Sequence, residues 1–313
     1  MRYMLDTAMR VARSRAVRIG FVVIALAGAA WLVLANRVEI AAALARLHPA
    51  HILLAALAGA LFVWCGFLSW RRVLADLGHR LNVREAAAFY GISQLGKYIP
   101  GGVWNIAAAA TMAHRYRVTG THAAAATTIS IIVAATSALS AGIVGFLVAP
   151  APLFSEWGWV MWCGVPFVAL LAPPVMNRAI ALVGRIVGRS PEALVSVRGL
   201  GISTLWALAQ WIPAGVSVAA LAIGLGAPAT PTTVLQCIGG YALAWVAGLV
   251  VVVAPAGIGV REAVLALAFT SILSTAEAAT VVLLSRVVLT GVDLLFGAWG
   301  TFASRHPRTA TAG

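Results

Sequence analysis

The sequence predicts an all-α, polytopic membrane helical bundle, and three observations lead to this prediction. Of the 313 residues, 62% are hydrophobic and 10% are charged, whereas soluble proteins average about 45–50% apolar and about 25% charged residues. The mean hydropathy is +0.96. The apolar residues form runs of about 20, the length that a helix needs to cross a bilayer. No soluble domain fits between these runs, so residues 1–313 are predicted to form a single transmembrane domain.

Six apolar runs are long enough to be full crossings. The first follows five arginines near the N-terminus and is typical of an uncleaved signal anchor. The runs lie at about 17–36, 51–70, 123–149, 157–176, 201–224 and 278–300. Each run is predicted to be one transmembrane helix.

Two further apolar segments, at about 86–112 and 234–274, are interrupted near the middle by proline and glycine. Proline removes a helical hydrogen bond and glycine favours non-helical backbone, so each segment predicts a pair of helices. Whether these pairs are re-entrant or fully spanning stays open from the sequence. The breaks are Pro100-Gly101-Gly102 and Pro255-Ala256-Gly257-Ile258-Gly259.

The distribution of basic residues orients the chain, because Lys and Arg collect in cytoplasmic loops. If each broken segment enters and leaves on one side, most basic residues share the side of the N-terminus, and only Arg37 and Arg46 lie in loops opposite. Both termini are therefore predicted to be cytoplasmic. The basic residues that give the net charge of +13 then orient the chain in the membrane and attract anionic lipid head groups. No nucleic-acid partner is predicted. Of the 22 basic residues, Lys97 is the only lysine and the others are arginines. This preference for arginine indicates a GC-rich bacterial genome, and the predicted location is therefore a bacterial cytoplasmic membrane.

The two broken segments lie in matching contexts, because one full crossing precedes and one follows each of them. Under the loop assignment the first unit starts from the outside and the second from the inside. This arrangement predicts an inverted repeat. Paired helices interrupted by proline and glycine in opposite halves of a transporter indicate a binding site near the bilayer midplane.

Five charged residues fall inside the apolar segments, and each would cost about 2.5–3.5 kcal/mol at the centre of a lipid-facing helix. They are therefore expected to face protein or a wet cavity. Their charges sum to a net charge of +1, which an anionic ligand would neutralise. These residues are Lys97, Arg261, Glu262, Arg286 and Asp293.

Arg286 and Asp293 are seven residues apart, which places them on one face of a helix but too far apart to pair. Each is expected to bond to another helix, and Glu262 is the predicted partner of Arg286. A static ion pair that fixes helix packing is the alternative to a functional gate. Gln210 and Gln236 lie in other apolar runs, where interhelical hydrogen bonds are expected.

Each break frees backbone N–H groups and begins a new helix, at about Val103 and at Ile258-Gly259. A helix N-terminus with a cation beside it, here Lys97 or Arg261, is a recurring binding site for phosphate or carboxylate. The alternative is that the breaks only kink buried helices and the cations reach the membrane interface. The candidate binding residues are Gln94, Lys97, Tyr98, Gly101, Gly102, Asn105, Arg261, Glu262, Arg286 and Asp293, with Pro100, Pro255, Gly257 and Gly259 at the helix breaks.

Other chemistry is not predicted. The three cysteines lie singly in apolar runs without CxxC spacing, so neither a metal nor a disulfide is expected. Residues 91–98 differ from a nucleotide-binding GxxxxGK[ST] loop at Tyr98, which replaces the required hydroxyl residue. There is no GxSxG or HExxH pattern and no carboxylate cluster with acid–base spacing. No catalytic residue and no cofactor is predicted.

The two broken blocks, residues 94–102 and 254–262, resemble the signature blocks of the lysylphosphatidylglycerol synthase/flippase family. The resemblance is to its transmembrane flippase-like domain and extends from the first span to Arg286. Ala256 stands where glycine is common in the second block.

This resemblance implies lipid transport. The family's membrane domain is linked to movement of aminoacylated phosphatidylglycerol between leaflets, and standalone relatives are associated with polyprenyl-phosphate-linked sugars. It also implies that Lys97, Arg261 and Glu262 contact the head group. The soluble aminoacyl-transferase domain is expected to be absent, and with it synthase activity. A separately encoded synthase or lipid-linked glycosyltransferase is a compatible partner.

The predicted function is non-enzymatic transbilayer movement of an anionic lipid, either a phospholipid or a polyprenyl-phosphate-linked sugar. An integral-membrane enzyme acting on a lipid-linked sugar, with Glu262 as a base, is one alternative. A channel or solute carrier would favour a neutral or acidic site. A scaffold for partner enzymes would tolerate changes at Lys97 and Arg261.

Overall fold

The computed structural model describes residues 37–98, 103–147, 195–250 and 259–304, together with isolated positions between 169 and 181. Within these ranges the protein contains helices and no strand, which confirms the predicted fold class. The predicted span at about 17–36 lies outside the described residues, as does that at about 157–176 apart from a few isolated positions. Seven residues of the predicted breaks also lie outside them: Pro100, Gly101, Gly102, Pro255, Ala256, Gly257 and Ile258.

The first half of the described chain contains five helices. The cap of the second is His48, whose Nδ1 accepts the N–H of Ala50 at 3.2 Å, and the third is capped by Asn82, whose Oδ1 accepts the N–H of Glu85 at 2.8 Å. Short 3-10 turns, Leu95–Tyr98 and Ala113–Tyr116, follow the third and fourth. The helices are α1 (Arg37–Arg46), α2 (Pro49–Asp76), α3 (Val83–Gln94), α4 (Trp104–Met112) and α5 (Gly120–Leu147).

Five more helices form the second half. The first two are separated only at Gln210. Pro213 accounts for this interruption, because proline has no N–H to donate to the carbonyl four residues earlier. The helices are α6 (Val197–Ala209), α7 (Trp211–Gly224), α8 (Pro231–Val250), α9 (Val260–Leu267) and α10 (Thr275–Ser304).

Five helical stretches in the described part of the chain are long and apolar enough to cross a membrane. Four of them match the crossings predicted at about 51–70, 123–149, 201–224 and 278–300, and the fifth is the first arm of the second broken segment. The stretches are Pro49–Asp76, Gly120–Ile143, Val197–Gly224, Pro231–Val250 and Thr275–Gly300. The protein is therefore a multi-pass membrane protein.

The second arm of that segment is shorter than predicted. A helix was expected over about 258–274, but α9 ends at Leu267 and turns follow it. The hydroxyl of Thr270 donates to the carbonyl of Leu267 at 2.9 Å. Backbone N–H groups in this stretch also bond three residues back, from Phe269 to Ala266 and from Thr270 to Leu267, so the chain continues in tight turns and not in an α-helix.

The two halves pack against each other in equivalent ways. Helix α3 packs against α10, and α8, which occupies the same place in the second half, packs against α5. Contacts of α2 with α10 and of α6 with α5 are related in the same manner. Each contact thus recurs with the equivalent helices of the other half. A two-fold pseudosymmetric arrangement of residues 49–147 and 197–304 produces this pattern. It supports the predicted repeat, while the opposite orientation of its halves in a membrane stays a prediction.

Helices α5 and α8 cross at glycines. A Cβ at Gly239 would lie 2.4 Å from the Cα of Gly145, in backbone that cannot rotate away. We expect Gly239→Ala to lower the free energy of unfolding by about 1–3 kcal/mol, the usual cost of overpacking, measured by thermal unfolding in detergent. Gly291→Ala in α10 is the matched control, because its Cβ would meet nothing within 4 Å. Equal losses in the two variants would contradict this close crossing.

A histidine pair links the loop after α2 to the start of α5. Nε2 of His79 lies 2.8 Å from Nδ1 of His122. Burial lowers the pKa of His79 below its ordinary value, and the neighbouring His122 lowers this pKa further. The unfolded chain, in which the histidine pKa is about 6.5, therefore binds more protons, and stability falls as the pH drops below about 6.5.

We expect the thermal unfolding midpoint to decrease between about pH 7.5 and about pH 5.5, and to decrease less in His79→Gln. His114→Gln is the matched control, because His114 is exposed and lies outside the pair. It should retain the pH dependence of the wild type. The same pH dependence in wild type and His79→Gln would show that the pair does not carry this effect.

Candidate functional site

A cavity of about 200 Å³ lies between the two halves of the bundle. Its walls come from two apolar cores, with Phe62, Leu265 and Leu289 in one and Trp70 and Tyr90 in the other. Eight of the ten predicted binding residues line it, and the other two, Gly101 and Gly102, lie outside the described residues. The eight are Gln94, Lys97, Tyr98, Asn105, Arg261, Glu262, Arg286 and Asp293.

At the first break, two side chains of the 3-10 turn converge on Asp293 of α10. Nζ of Lys97 lies 2.7 Å from Oδ2 of Asp293, and the hydroxyl of Tyr98 donates to the same oxygen at 2.6 Å. The side chain of Asp293 is 11% exposed. Lys97 therefore enters the cavity as one member of an ion pair, in place of the unpaired cation beside a helix N-terminus that the sequence indicated.

Gly96 allows this turn to pack directly against the start of α4. A Cβ at Gly96 would lie 2.6 Å from the backbone N of Asn105 and 2.7 Å from the carbonyl carbon and oxygen of Trp104. Only glycine permits that approach. The close contact places Lys97 and Tyr98 beside Asn105, which is itself buried at the edge of the cavity.

At the second break, Glu262 makes two bonds. Gly259 has a φ of +91°, a conformation that favours glycine, and its N–H donates to Oε2 of Glu262 at 2.5 Å. The other carboxylate oxygen, Oε1, lies 3.4 Å from Nε of Arg286, which confirms the predicted pair. The expectation of a free N–H at Gly259 was wrong, because a glutamate at the third helical position reaches back to cap its own helix.

Arg261 carries the remaining positive charge. Its guanidinium carbon lies 4.6 Å from the ring centre of Tyr241, and an Nη donates to the hydroxyl of Tyr241. No carboxylate of the described residues pairs with Arg261. Neither of the adjoining stretches, 99–102 and 251–258, contains a charged residue.

The site thus consists of two ion pairs and one arginine, with a net charge of +1. The planar guanidinium of arginine matches two oxygens of a phosphate or carboxylate at once. In a cavity partly shielded from water, that charge is attracted to an anion more strongly than it would be at a surface. The geometry therefore suits one anionic group bound at Arg261, with Lys97 as a second donor.

Comparison with known protein families identifies the family of this chain. The model of the family described as "Lysylphosphatidylglycerol synthase TM region" matches residues 17–297. The chain belongs to this family. The match confirms the resemblance carried by the two signature blocks and includes every charged residue of the cavity. A search of curated proteins finds no match.

Several residues that line the cavity were not predicted from the sequence. Tyr241, which holds Arg261, gave no charge signal within its apolar run. Thr290 follows Arg286 by four residues and precedes Asp293 by three, so the helical period could have found it on the same face. The uncharged residues that line the cavity without having been predicted include Ser69, Trp70, Tyr90, Thr127, Ser130, Gln210, Trp245, Ser285 and Thr290.

The two glutamines expected to bridge helices differ in outcome. Nε2 of Gln236 donates to the carbonyl of Ala268 at 2.7 Å, so it joins α8 to the turn after α9, as expected. Nε2 of Gln210 instead donates to the carbonyl of Ala207 at 3.0 Å, three residues earlier in the chain. The interhelical prediction for Gln210 was therefore wrong, because the interruption before Pro213 leaves it at a helix end.

Proposed function

We propose that this protein moves an anionic lipid between the two leaflets of a membrane, with the lipid phosphate bound at Arg261. The observation that carries the proposal is the net positive charge of a cavity between two membrane-spanning halves. A cation buried among apolar helices costs free energy, and an anionic ligand offsets that cost. Membership of a lipid-related membrane family supports the same assignment.

In this proposal only the head group enters the cavity. Its volume of about 200 Å³ is below the roughly 300–1,000 Å³ of pockets that enclose drug-sized ligands, so the acyl or prenyl chains stay in the bilayer. A phosphate at Arg261 competes with Asp293 for Lys97. Transport needs no covalent step, and the protein acts as a carrier.

Movement across the bilayer requires two states that open the cavity to opposite leaflets. The repeat-related contacts of α3 with α10 and of α8 with α5 are suited to exchange of conformation between the halves. The two ion pairs between described cavity residues, Lys97 with Asp293 and Glu262 with Arg286, link α10 to the broken segments. Competition by a phosphate for Lys97 would loosen one of these ties.

The proposal includes the lipid class and the cellular location. The lipid is a phospholipid or a polyprenyl-phosphate-linked sugar, made by a separately encoded synthase or glycosyltransferase. The membrane is the cytoplasmic membrane of a bacterium, with both termini in the cytoplasm. The basic residues in the loops on one side support this orientation.

A membrane enzyme is the less favoured alternative. It needs Glu262 as a base, but both oxygens of Glu262 are engaged, one by the N–H of Gly259 and one by Arg286. A general base must have an oxygen within reach of the substrate proton, and both oxygens of Glu262 already face these donors.

The test is a leaflet-exchange assay with purified protein in liposomes. Labelled phosphatidylglycerol and a labelled polyprenyl-phosphate-linked sugar are compared with labelled phosphatidylcholine, whose head group has no net charge. We expect the protein to accelerate exchange of at least one anionic lipid well above protein-free liposomes and above phosphatidylcholine. Equal exchange of all lipids, or no exchange of any anionic lipid, would overturn the proposal.

A further inference from the structure

We infer that, among anionic lipids, the cavity selects those whose phosphate carries a single negative charge, as in a phosphodiester, over those with a doubly charged phosphomonoester. This inference rests on the proposed function and narrows its substrate class. It follows from the charge of the cavity rather than from the presence of cations alone.

The charges that face the bound phosphate come from three places in the fold. The 3-10 turn after α3 provides Lys97, α9 provides Arg261 and Glu262, and α10 provides Arg286 and Asp293. Two ion pairs cancel four of these charges, which leaves the positive charge of Arg261. None of the described residues that line the cavity is a histidine.

The number of charges on the ligand decides the balance. The cost of removing an ion from water rises with the square of its charge, whereas its attraction to one fixed positive charge rises only in proportion. A singly charged phosphodiester neutralises the cavity. For a doubly charged phosphomonoester, the desolvation cost is about four times that of a single charge, while the attraction to Arg261 is only about twice as large. One negative charge also stays uncompensated in the cavity.

The donors also suit a phosphodiester. A phosphodiester has two unesterified oxygens, and the two-pronged guanidinium of Arg261 can bind both. The hydroxyl of Tyr241 already accepts from Arg261 and holds the guanidinium in place. The third free oxygen of a phosphomonoester has no further unpaired cation to bind among the described residues of the cavity, because Lys97 and Arg286 each pair with a carboxylate.

Binding can be measured without transport, by calorimetry with the detergent-solubilised full chain. The probes are dioctanoyl phosphatidylglycerol, a phosphodiester, and dioctanoyl phosphatidic acid, a phosphomonoester with the same chains. At about pH 8 the monoester is doubly charged, and at about pH 5.5 it is mostly singly charged, because its second pKa is about 6. We expect the diester to bind at least tenfold more tightly at the higher pH, with this ratio decreasing at the lower pH.

Two variants move the charge of the cavity in opposite directions. Asp293→Asn raises it to +2 and keeps an acceptor for Tyr98, so we expect the monoester to gain affinity relative to the diester by at least tenfold at about pH 8. Arg261→Gln lowers it to zero and should weaken both lipids. Arg46→Gln removes an exposed arginine outside the cavity and should change neither affinity.

The outcomes separate this inference from the proposed function. Tighter binding of the doubly charged lipid to the wild type, or an unchanged preference in Asp293→Asn, would overturn the charge selection even if anionic lipids are transported. A clear preference for the diester in a protein that exchanges no lipid would instead support the binding inference and refute transport.

Discussion

Replacement of Arg261 by glutamine is expected to slow the exchange of an anionic lipid by roughly 10- to 100-fold. A hydrogen bond to a charged group is worth about 1.5–3 kcal/mol, and about 1.4 kcal/mol corresponds to a factor of ten. Arg261 has no carboxylate partner among the described residues, so its loss leaves no buried carboxylate unpaired. The Arg261→Gln substitution should therefore lower the exchange rate measured with equal amounts of reconstituted protein. It should change the yield of folded protein much less.

Two further variants define this result. Arg46→Gln removes an arginine that is 60% exposed and bonded to Glu277 away from the cavity, and it should exchange lipid at the wild-type rate. Arg261→Lys keeps the charge but loses the planar pair of donors, and it should recover only part of the rate. An Arg261→Gln protein that is folded and exchanges lipid normally would remove the proposed phosphate contact.

Replacement of Glu262 by alanine is expected to lower the free energy of unfolding by about 2–4 kcal/mol, the combined cost of a lost charged hydrogen bond and a lost helix cap. Removal of one partner from a partly buried ion pair weakens the compensation of the other charge, and here that charge is on Arg286, whose side chain is 22% exposed. The same change removes the cap on the N–H of Gly259, which costs about 0.5–2 kcal/mol at a typical helix start. Thermal and denaturant unfolding in detergent would measure the loss.

The conservative variant separates the two contributions. Glu262→Gln retains an oxygen that can accept from Gly259 but loses the charge, so we expect an intermediate loss of stability. Glu85→Ala is the control, because Glu85 is also near the start of a helix but is exposed. It should cost at most about 1 kcal/mol. If Glu262→Ala were as stable as Glu85→Ala, Glu262 would not hold the second break together.

The sequence predicted the bundle and most of the site because both follow from strong physical constraints. An apolar run of about 20 residues is stable in a membrane as a helix, because the helix satisfies its own backbone hydrogen bonds. Charged residues in such a run must face the protein interior or a water-filled cavity. These constraints identified the charged cavity residues and the pairing of Arg286 with Glu262. They also predicted that one positive charge would remain.

The sequence could not assign that charge to Arg261 or pair Lys97 with Asp293, because these residues are far apart in the chain. That pairing depends on how the turn after α3 packs against α10, a three-dimensional contact without a local signal. Tyr241 was missed for the same reason, since a tyrosine in an apolar run is usually a packing residue. The early end of α9 at Leu267 was missed because the apolar pattern continues to about 274 and contains no proline or glycine that marks the change from helix to turns.

A structure of the protein in nanodiscs that contain phosphatidylglycerol would test the phosphate site most directly. We expect density for a lipid phosphate in the cavity, with oxygens about 2.7–2.9 Å from the guanidinium nitrogens of Arg261, the usual length of such charged bonds. Lipid phosphates seen only at the membrane surface, with the cavity closed around Arg261 and Tyr241 or filled by water alone, would contradict the account.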